Sequence, residues 1–260
     1  MNLVVCVKHV PDTESKIRVK GDGTGIVTEG LNFVVNPYDE FAVEEAIRIK
    51  ERLPGSKVIV VSLGPEDATK SIRTCLAMGA DDAVHVVDPD FQRFDGVATA
   101  ALLAAVIKDL PHDLVLCGKQ AVDDDCAQVG PALAEFLGIP DVSVVTKLEV
   151  AADAKKITAT REIEGARETV EATLPALVTA QKGLNEPRYP ALPAIMKAKK
   201  MAIKTVPVTE LAAGPGGAAK IEVLTFTEPQ ARKAGKVLEG EPREVVKQVV
   251  TLLVEEAKVL

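Results

Sequence analysis

The sequence predicts an α/β fold: an open, mostly parallel sheet with helices on both faces, an antiparallel extension and a C-terminal arm. Three observations carry this expectation. Short β-branched runs at 3–7, 58–63, 83–87 and 114–117 are almost continuously apolar, the pattern of strands buried on both faces. Helical segments separate them, giving the β-α-β alternation of a parallel sheet. Aromatic residues are only 3% of the chain and Trp is absent, so the core must be aliphatic.

Each element follows from local signals. Residues 37–52 read as a helix with Pro37 in the first turn and Phe41, Ala42, Ala46 and Ile49 along one side. Residues 65–78 read as a second helix stopped by Gly79. A third is expected over 95–109, and a fourth over 126–137, closed by Gly138. Between the first strand and first helix, 13–30 reads as a hairpin insertion turning at Gly21-Asp22-Gly23. Residues 144–150, 156–163 and 168–172 read as antiparallel edge strands, with turns at 151–155 and 164–166, before a buried strand at 176–180. Residues 183–204 read as an exposed, ordered loop carrying Pro187, Pro190 and Pro193, and 212–217 as a flexible linker. The final segment, 242–259, is amphipathic, with Val245, Val249, Leu252 and Leu253 on one side. The expected division is therefore a 1–204 α/β domain and a 205–260 arm whose helix packs on a partner.

Composition excludes several function classes. A net charge of −7 disfavours nucleic-acid binding, which needs a basic field. No run is apolar enough to span a bilayer, and a strand begins almost at Met1, leaving no room for a leader. Cys6, Cys75, Cys117 and Cys126 are widely spaced, without metal-type patterns, and read as reduced structural thiols in a cytoplasmic setting. His9, His85 and His112 fall on separate elements and form no catalytic constellation, so binding without turnover is expected.

In an open parallel sheet, ligands bind beyond the carboxyl ends of the strands. There the strongest signal is Gly118-Lys119-Gln120-Ala121-Val122-Asp123-Asp124-Asp125-Cys126-Ala127-Gln128-Val129-Gly130, which follows a buried strand and enters a helix. A helix start offers free N–H groups and a positive dipole end to a phosphate. Gly118 is expected to let the chain leave the strand sharply, and Gly130 to let helix and ligand approach. Asp124 or Asp125 is expected to cap the helix, and an acidic cap without ligand is the competing reading. The sequence matches neither a Walker A nor a GxGxxG pattern. Loops at Lys8-His9-Val10-Pro11, Asn36-Pro37 and Ser62-Leu63-Gly64-Pro65 converge on the same edge and could hold the rest of a nucleotide.

A second unusual segment is Leu184-Asn185-Glu186-Pro187-Arg188-Tyr189-Pro190-Ala191-Leu192-Pro193-Ala194-Ile195-Met196-Lys197-Ala198-Lys199-Lys200. Proline stiffening lowers the entropy lost on docking, and Leu192, Ile195 and Met196 ringed by lysines suit a small transient interface. The competing reading turns those apolar residues inward.

At these residues the chain resembles the beta subunit of electron transfer flavoprotein, along essentially its whole length. The resemblance rests on 7–11, 16–19, Asn36-Pro37-Tyr38-Asp39-Glu40, 42–46, 77–81, 118–125 and 184–200, in family order. It implies an adenine nucleotide alpha hydrolase-like, Rossmann-like sheet and a subunit that carries electrons without catalytic residues of its own. The implied cofactors are FAD, held mainly by a larger alpha subunit, and AMP bound structurally in this chain. The implied partners are that alpha subunit, flavin dehydrogenases such as acyl-CoA dehydrogenases, and a membrane quinone oxidoreductase. The implied setting is a bacterial cytoplasm, or the mitochondrial matrix in a eukaryote. By position, nucleotide contacts fall on Cys6, Asn36, Pro37, Tyr38, Asp39, Leu63 and 118–129. Thr13, Tyr38 and Glu162 would face the FAD domain, and Leu184, Asn185, Glu186, Pro187, Arg188, Tyr189, Leu192, Pro193, Ile195 and Met196 would dock dehydrogenases. Ala127 and Val129 depart from the AMP-binding pattern toward that of electron-bifurcating members, which place a second FAD there. A nucleotide hydrolase, transferase or sensor is the alternative from another class.

Overall fold

In the computed structural model, residues 1–230 and 234–259 are described; positions 231–233 and 260 of the expected arm lie outside them. Eleven strands are seen among these residues: β1 (Asn2–Cys6), β2 (His9–Pro11), β3 (Phe33–Val35), β4 (Lys57–Gly64), β5 (Asp82–Val87), β6 (Leu114–Gly118), β7 (Asp141–Val150), β8 (Lys156–Ile163), β9 (Ala166–Thr173), β10 (Ala176–Ala180) and β11 (Lys204–Pro207). Nine of them form one sheet in the order β11-β5-β4-β1-β6-β10-β7-β8-β9. From β11 to β7 every pairing is parallel; β8 and β9 continue it antiparallel, which confirms the expected extension. β2 and β3 pair with each other outside this sheet.

Helices α1 (Pro37–Arg52) and α2 (Thr69–Met78) cover one face, and α3 (Gly96–Ile107) and α4 (Val129–Leu137) cover the other. The alternation along the strands explains this division: Val58 and Val60 of β4 pack under α1 and α2, and Ile59, Val61 and Leu63 under α3 and α4. β1 is the reversal point, with β4 on one side and β6 on the other, so the ends of β1 and β6 open the crevice where such sheets bind ligands.

Most boundaries agree with the sequence, and α1 agrees to the residue. Gly79 and Gly138, both at positive φ, end α2 and α4. Several expectations are corrected. The insertion at 13–30 turns where predicted, but its two strands reduce to a single Val19–Ile26 bridge. Residues 183–204 are not a plain loop: they contain helix α5 (Leu192–Ala198), started by Pro193. β11 crosses the expected boundary at residue 204 and joins the sheet beside β5. The segment expected as a flexible linker makes a 3-10 turn over Gly214–Gly217, where Gly216 lies so close to Phe136 and Ala101 that a Cβ would clash. Beyond it the arm is tethered by side chains of the domain: Asp95 caps α3 through Ala98 N–H (2.8 Å) and also accepts the Lys220 N–H at 2.7 Å. The last helix, α6 (Pro242–Glu255), has no buried residue.

Candidate functional site: the strand-end cradle

The loop after β6 is held by helix α1. Asp39 is buried, and its two carboxylate oxygens accept the N–H groups of Lys8 (2.7 Å) and Gly118 (2.9 Å), clamping the ends of β1 and β6 together. Asn36 completes the clamp: its amide donates to the Gln120 carbonyl (2.9 Å), and its side-chain oxygen accepts the Val122 N–H (3.1 Å). Asn36 is therefore spent on the loop rather than on capping its own helix. Burial pushes the Asp39 carboxyl up to about 7, against the opposing effect of its N–H donors.

Gly118 has a different role from the one expected. A Cβ there would collide with Asp39 Oδ1 and lie 2.7 Å from the Tyr38 backbone, so the glycine admits the start of α1. Gly130 likewise serves helix-to-strand contact, since a Cβ would sit 2.5 Å from Thr179 Cγ2 of β10.

The helix begins at Val129, three residues later than the sequence suggested, and neither Asp124 nor Asp125 caps it. The reason is local: Asp125 (φ 51°) and Ala127 (φ 53°) are left-handed, which stops the helix from extending back. Asp124 instead accepts the Cys126 N–H at 3.0 Å. A left-handed Ala127 followed by a right-handed Gln128 turns successive N–H groups into one concavity, a nest suited to an anion. Among the described residues, no acceptor meets the N–H groups of Ala127, Gln128, Val129 or Gly130.

The three aspartates are tied up elsewhere. Lys8 Nζ lies 2.8 Å from Asp123 and 2.9 Å from Asp124, and Gln120 Nε2 donates to Asp125 at 2.5 Å. Burial works against the Lys8 charge, but Asp123 and Asp124 outweigh it and hold the ammonium above its ordinary value. Lys8 was the residue that sequence reasoning under-read; its one signal was its place directly after an apolar strand.

The other anticipated positions divide. Cys6 and Leu63 are buried at the ends of β1 and β4, beside the crevice, and Lys119 Nζ stands 5.1 Å over the Tyr38 ring. Cys126 is exposed, not a core filler, unlike Cys6, Cys75 and Cys117. Thr13 is exposed in the loop after β2. Glu162 lies away from the cradle on β8, facing Arg167 in register. His9 pairs with Ser71 (2.7 Å) and stacks on Phe33, His85 is buried in β5, and His112 meets the Leu110 carbonyl. Among the described residues there is no cluster able to hold a metal.

The docking segment also divides. Tyr189 is 98% exposed, Leu192 71% and Met196 50%, while Ile195 and Leu184 pack inward against the α1/α2 core. Asn185 donates to the Phe41 carbonyl (3.0 Å) and to Glu45 (3.1 Å).

Fold and site together define an α/β protein with a cradle of backbone N–H groups at the switch point of a parallel sheet. A model of the electron transfer flavoprotein domain matches residues 24–211. Beta subunits of electron transfer flavoprotein align along the chain: 44% identity with that of Bacillus subtilis over the full length of both, 44% with the human one over 92% of this chain and 93% of that protein, and 41% with the mitochondrial one of rice over the full length of both. The chain belongs to the electron transfer flavoprotein family, as a beta subunit.

Proposed function

We propose that this chain pairs with an alpha subunit to form an electron carrier, binding AMP in the 118–130 cradle while FAD is held mainly by the larger subunit. In this reading the heterodimer takes electrons from flavin dehydrogenases such as acyl-CoA dehydrogenases and delivers them to a membrane quinone oxidoreductase. The observation that carries the nucleotide assignment is the nest at Ala127–Gln128, with free amides beneath it and the three aspartates bound to Lys8 and Gln120. Phosphate oxygens would meet the amides of 127–130, and ribose and base would lie toward Asn36, Tyr38 and Leu63. Asp39 shapes the cradle from behind, since both its oxygens are occupied.

AMP has no redox chemistry, so it would contribute by steadying the loops that hold it, and the flavin would supply the electron chemistry. What this chain does is therefore positional: it presents a docking face and supports the FAD domain, with Thr13, Tyr38 and Glu162 on the side assigned to that contact. Exposed apolar side chains on α6, Val246, Val249, Val250 and Val254, support packing of the arm on the alpha subunit, while Val245, Leu252 and Leu253 of the predicted side are half-buried. Among the described residues no helix is long and apolar enough to cross a membrane. The proposed compartment is the bacterial cytoplasm, or the mitochondrial matrix in a eukaryotic host.

The alternative is a second flavin in place of AMP, since Ala127 and Val129 depart from the AMP-binding pattern toward that of electron-bifurcating members. The docking assignment has its own test. In steady-state reduction of the heterodimer by a donor dehydrogenase, Leu192→Ala is expected to raise KM for the heterodimer about tenfold, as for an interface anchor, leaving bound nucleotide unchanged. An unaltered KM would remove the segment from the docking account.

A further inference from the structure

Within the docking segment, Arg188 points the opposite way from its neighbours. Tyr189 and Leu192 stand out into solvent, while the Arg188 guanidinium folds back onto α1. There it meets two carboxylates. Glu44, only 2% exposed, accepts from Arg188 Nε at 2.8 Å, from a terminal nitrogen at 3.1 Å and from the Arg188 backbone N–H at 3.2 Å. Glu51, at the surface, accepts from the two terminal nitrogens at 2.6 and 3.1 Å. All three nitrogens of the fork are thus engaged, in the planar two-pronged geometry that a lysine cannot reproduce.

The neighbouring contacts reinforce this grip. Arg48 pairs with Glu44 at 2.7 Å and donates to the Glu186 carbonyl at 3.1 Å, while Arg73 of α2 holds the end of α5 through the carbonyls of Ala198 (2.6 Å) and Met201 (3.3 Å). Burial alone would push the Glu44 carboxyl up, but the donors from Arg188 and Arg48 prevail and hold it below its ordinary range. The hydrogen bonds it donates to Glu51 and Glu44 hold the Arg188 charge above its ordinary value. A segment carrying Pro187, Pro190 and Pro193 has few internal backbone hydrogen bonds, so its seat on α1 depends on side-chain contacts, these ion pairs foremost between Leu184 and Ile195.

We propose that Arg188 is a positioning residue rather than a contact residue: the Glu44–Arg188–Glu51 clamp fixes the segment on α1 so that Tyr189 and Leu192 are presented, already ordered, to the electron donor. This rests on the docking reading above. Ordering the segment in advance removes an entropic cost from association and leaves electron transfer within the formed complex untouched.

The test is a double-mutant cycle in the intact heterodimer, reading KM and kcat of a donor flavin dehydrogenase. Leu192→Ala is the reference. Arg188→Ala is expected to raise KM about tenfold while kcat stays within about twofold, the mark of lost binding alone. Combined with Leu192→Ala it should add less than about twofold, because a mispositioned anchor and a missing anchor are the same defect. Hydrogen exchange over 184–198 should rise in Arg188→Ala and stay unchanged in Leu192→Ala. Arg188→Lys should recover only part of the loss. If Arg188→Ala fails to assemble, Glu51→Gln carries the test, since it loosens only the exposed half of the clamp; a KM rise of about threefold is expected, again masked by Leu192→Ala. Additive effects, or a wild-type KM in these variants while Leu192→Ala is impaired, would overturn the proposal. A wild-type KM in Leu192→Ala would instead bring down the docking reading on which it rests.

Discussion

At its N-terminal end α1 meets the strand-end loops through Asn36 and Asp39, whereas further along it grips the proline-rich segment at 184–200 through Glu44, Glu45 and Glu51. Both regions are organised by acidic residues of one helix, but the partners differ. Around Asp39 they are neutral backbone N–H groups, and among the described residues no cation pairs with the carboxyl. Around Glu44 they are two arginines. The first arrangement builds a rigid enclosure from main chain, where side-chain identity matters little except where space is short. The second holds a proline-rich strip by charge, and so can present side chains that have no support of their own. The proposed nucleotide site and the proposed partner face are thereby both referenced to one helix.

The largest expected effect is on the enclosure. Gly118→Ala places a methyl group into Asp39 and the Tyr38 backbone, and should cost about 3 kcal/mol or more and abolish nucleotide retention. Thermal melting with nucleotide assay of the purified complex checks this, and a variant of normal stability would show that α1 does not press on the loop.

A smaller effect separates the two regions by pH. The unfolded chain ionises an aspartate near 3.8, and the folded chain ionises Asp39 only at about 7. Between these values the folded state holds the extra proton. The stability this group contributes is therefore complete below 3.8 and is lost as pH rises through about 7, at up to about 1.4 kcal/mol per pH unit. Asp39→Asn should flatten that slope in a pH series of melting curves and, by leaving one N–H unmatched, cost about 1–3 kcal/mol at neutral pH. An unchanged slope would locate the titrating group elsewhere. The Glu44 cluster, held below the ordinary carboxylate range, has the opposite sign: its contribution is lost only on acidification.

The smallest effect concerns the rim. Lys8→Ala removes a partly exposed ion pair with Asp123 and Asp124 and should cost less than about 1 kcal/mol, an effect that added salt diminishes. Affinity for the nucleotide phosphate should nevertheless fall, because two aspartates then face the nest uncompensated. Calorimetric titration with AMP measures it, and unaltered affinity would mean that Lys8 does not shield the cradle.

Much of the fold was legible because its signals are local. Continuous β-branched runs, Pro37 at a helix start, and Gly79 and Gly138 at helix ends each act within a few residues. The joining of β11 to the sheet was not legible, because Lys204–Pro207 is short and mostly exposed, and only its position beside β5 makes it a strand. The loop after β6 was readable from a strand running into Gly118, but the start of α4 was not. Aspartates before a helix usually cap it, and here left-handed Asp125 and Ala127 displace the start to Val129. The roles of Asp39, Lys8 and Glu44 were hidden for one reason. Each acts on residues far away in sequence, and a carboxylate on an amphipathic helix does not show which distant donor it will meet.

The most direct test of the account is the cofactor content of the intact complex. The purified heterodimer is denatured, and the released flavin and AMP are quantified per pair of subunits. The account predicts one FAD and one AMP. Two FAD and no AMP, or one FAD with no second nucleotide, would contradict it.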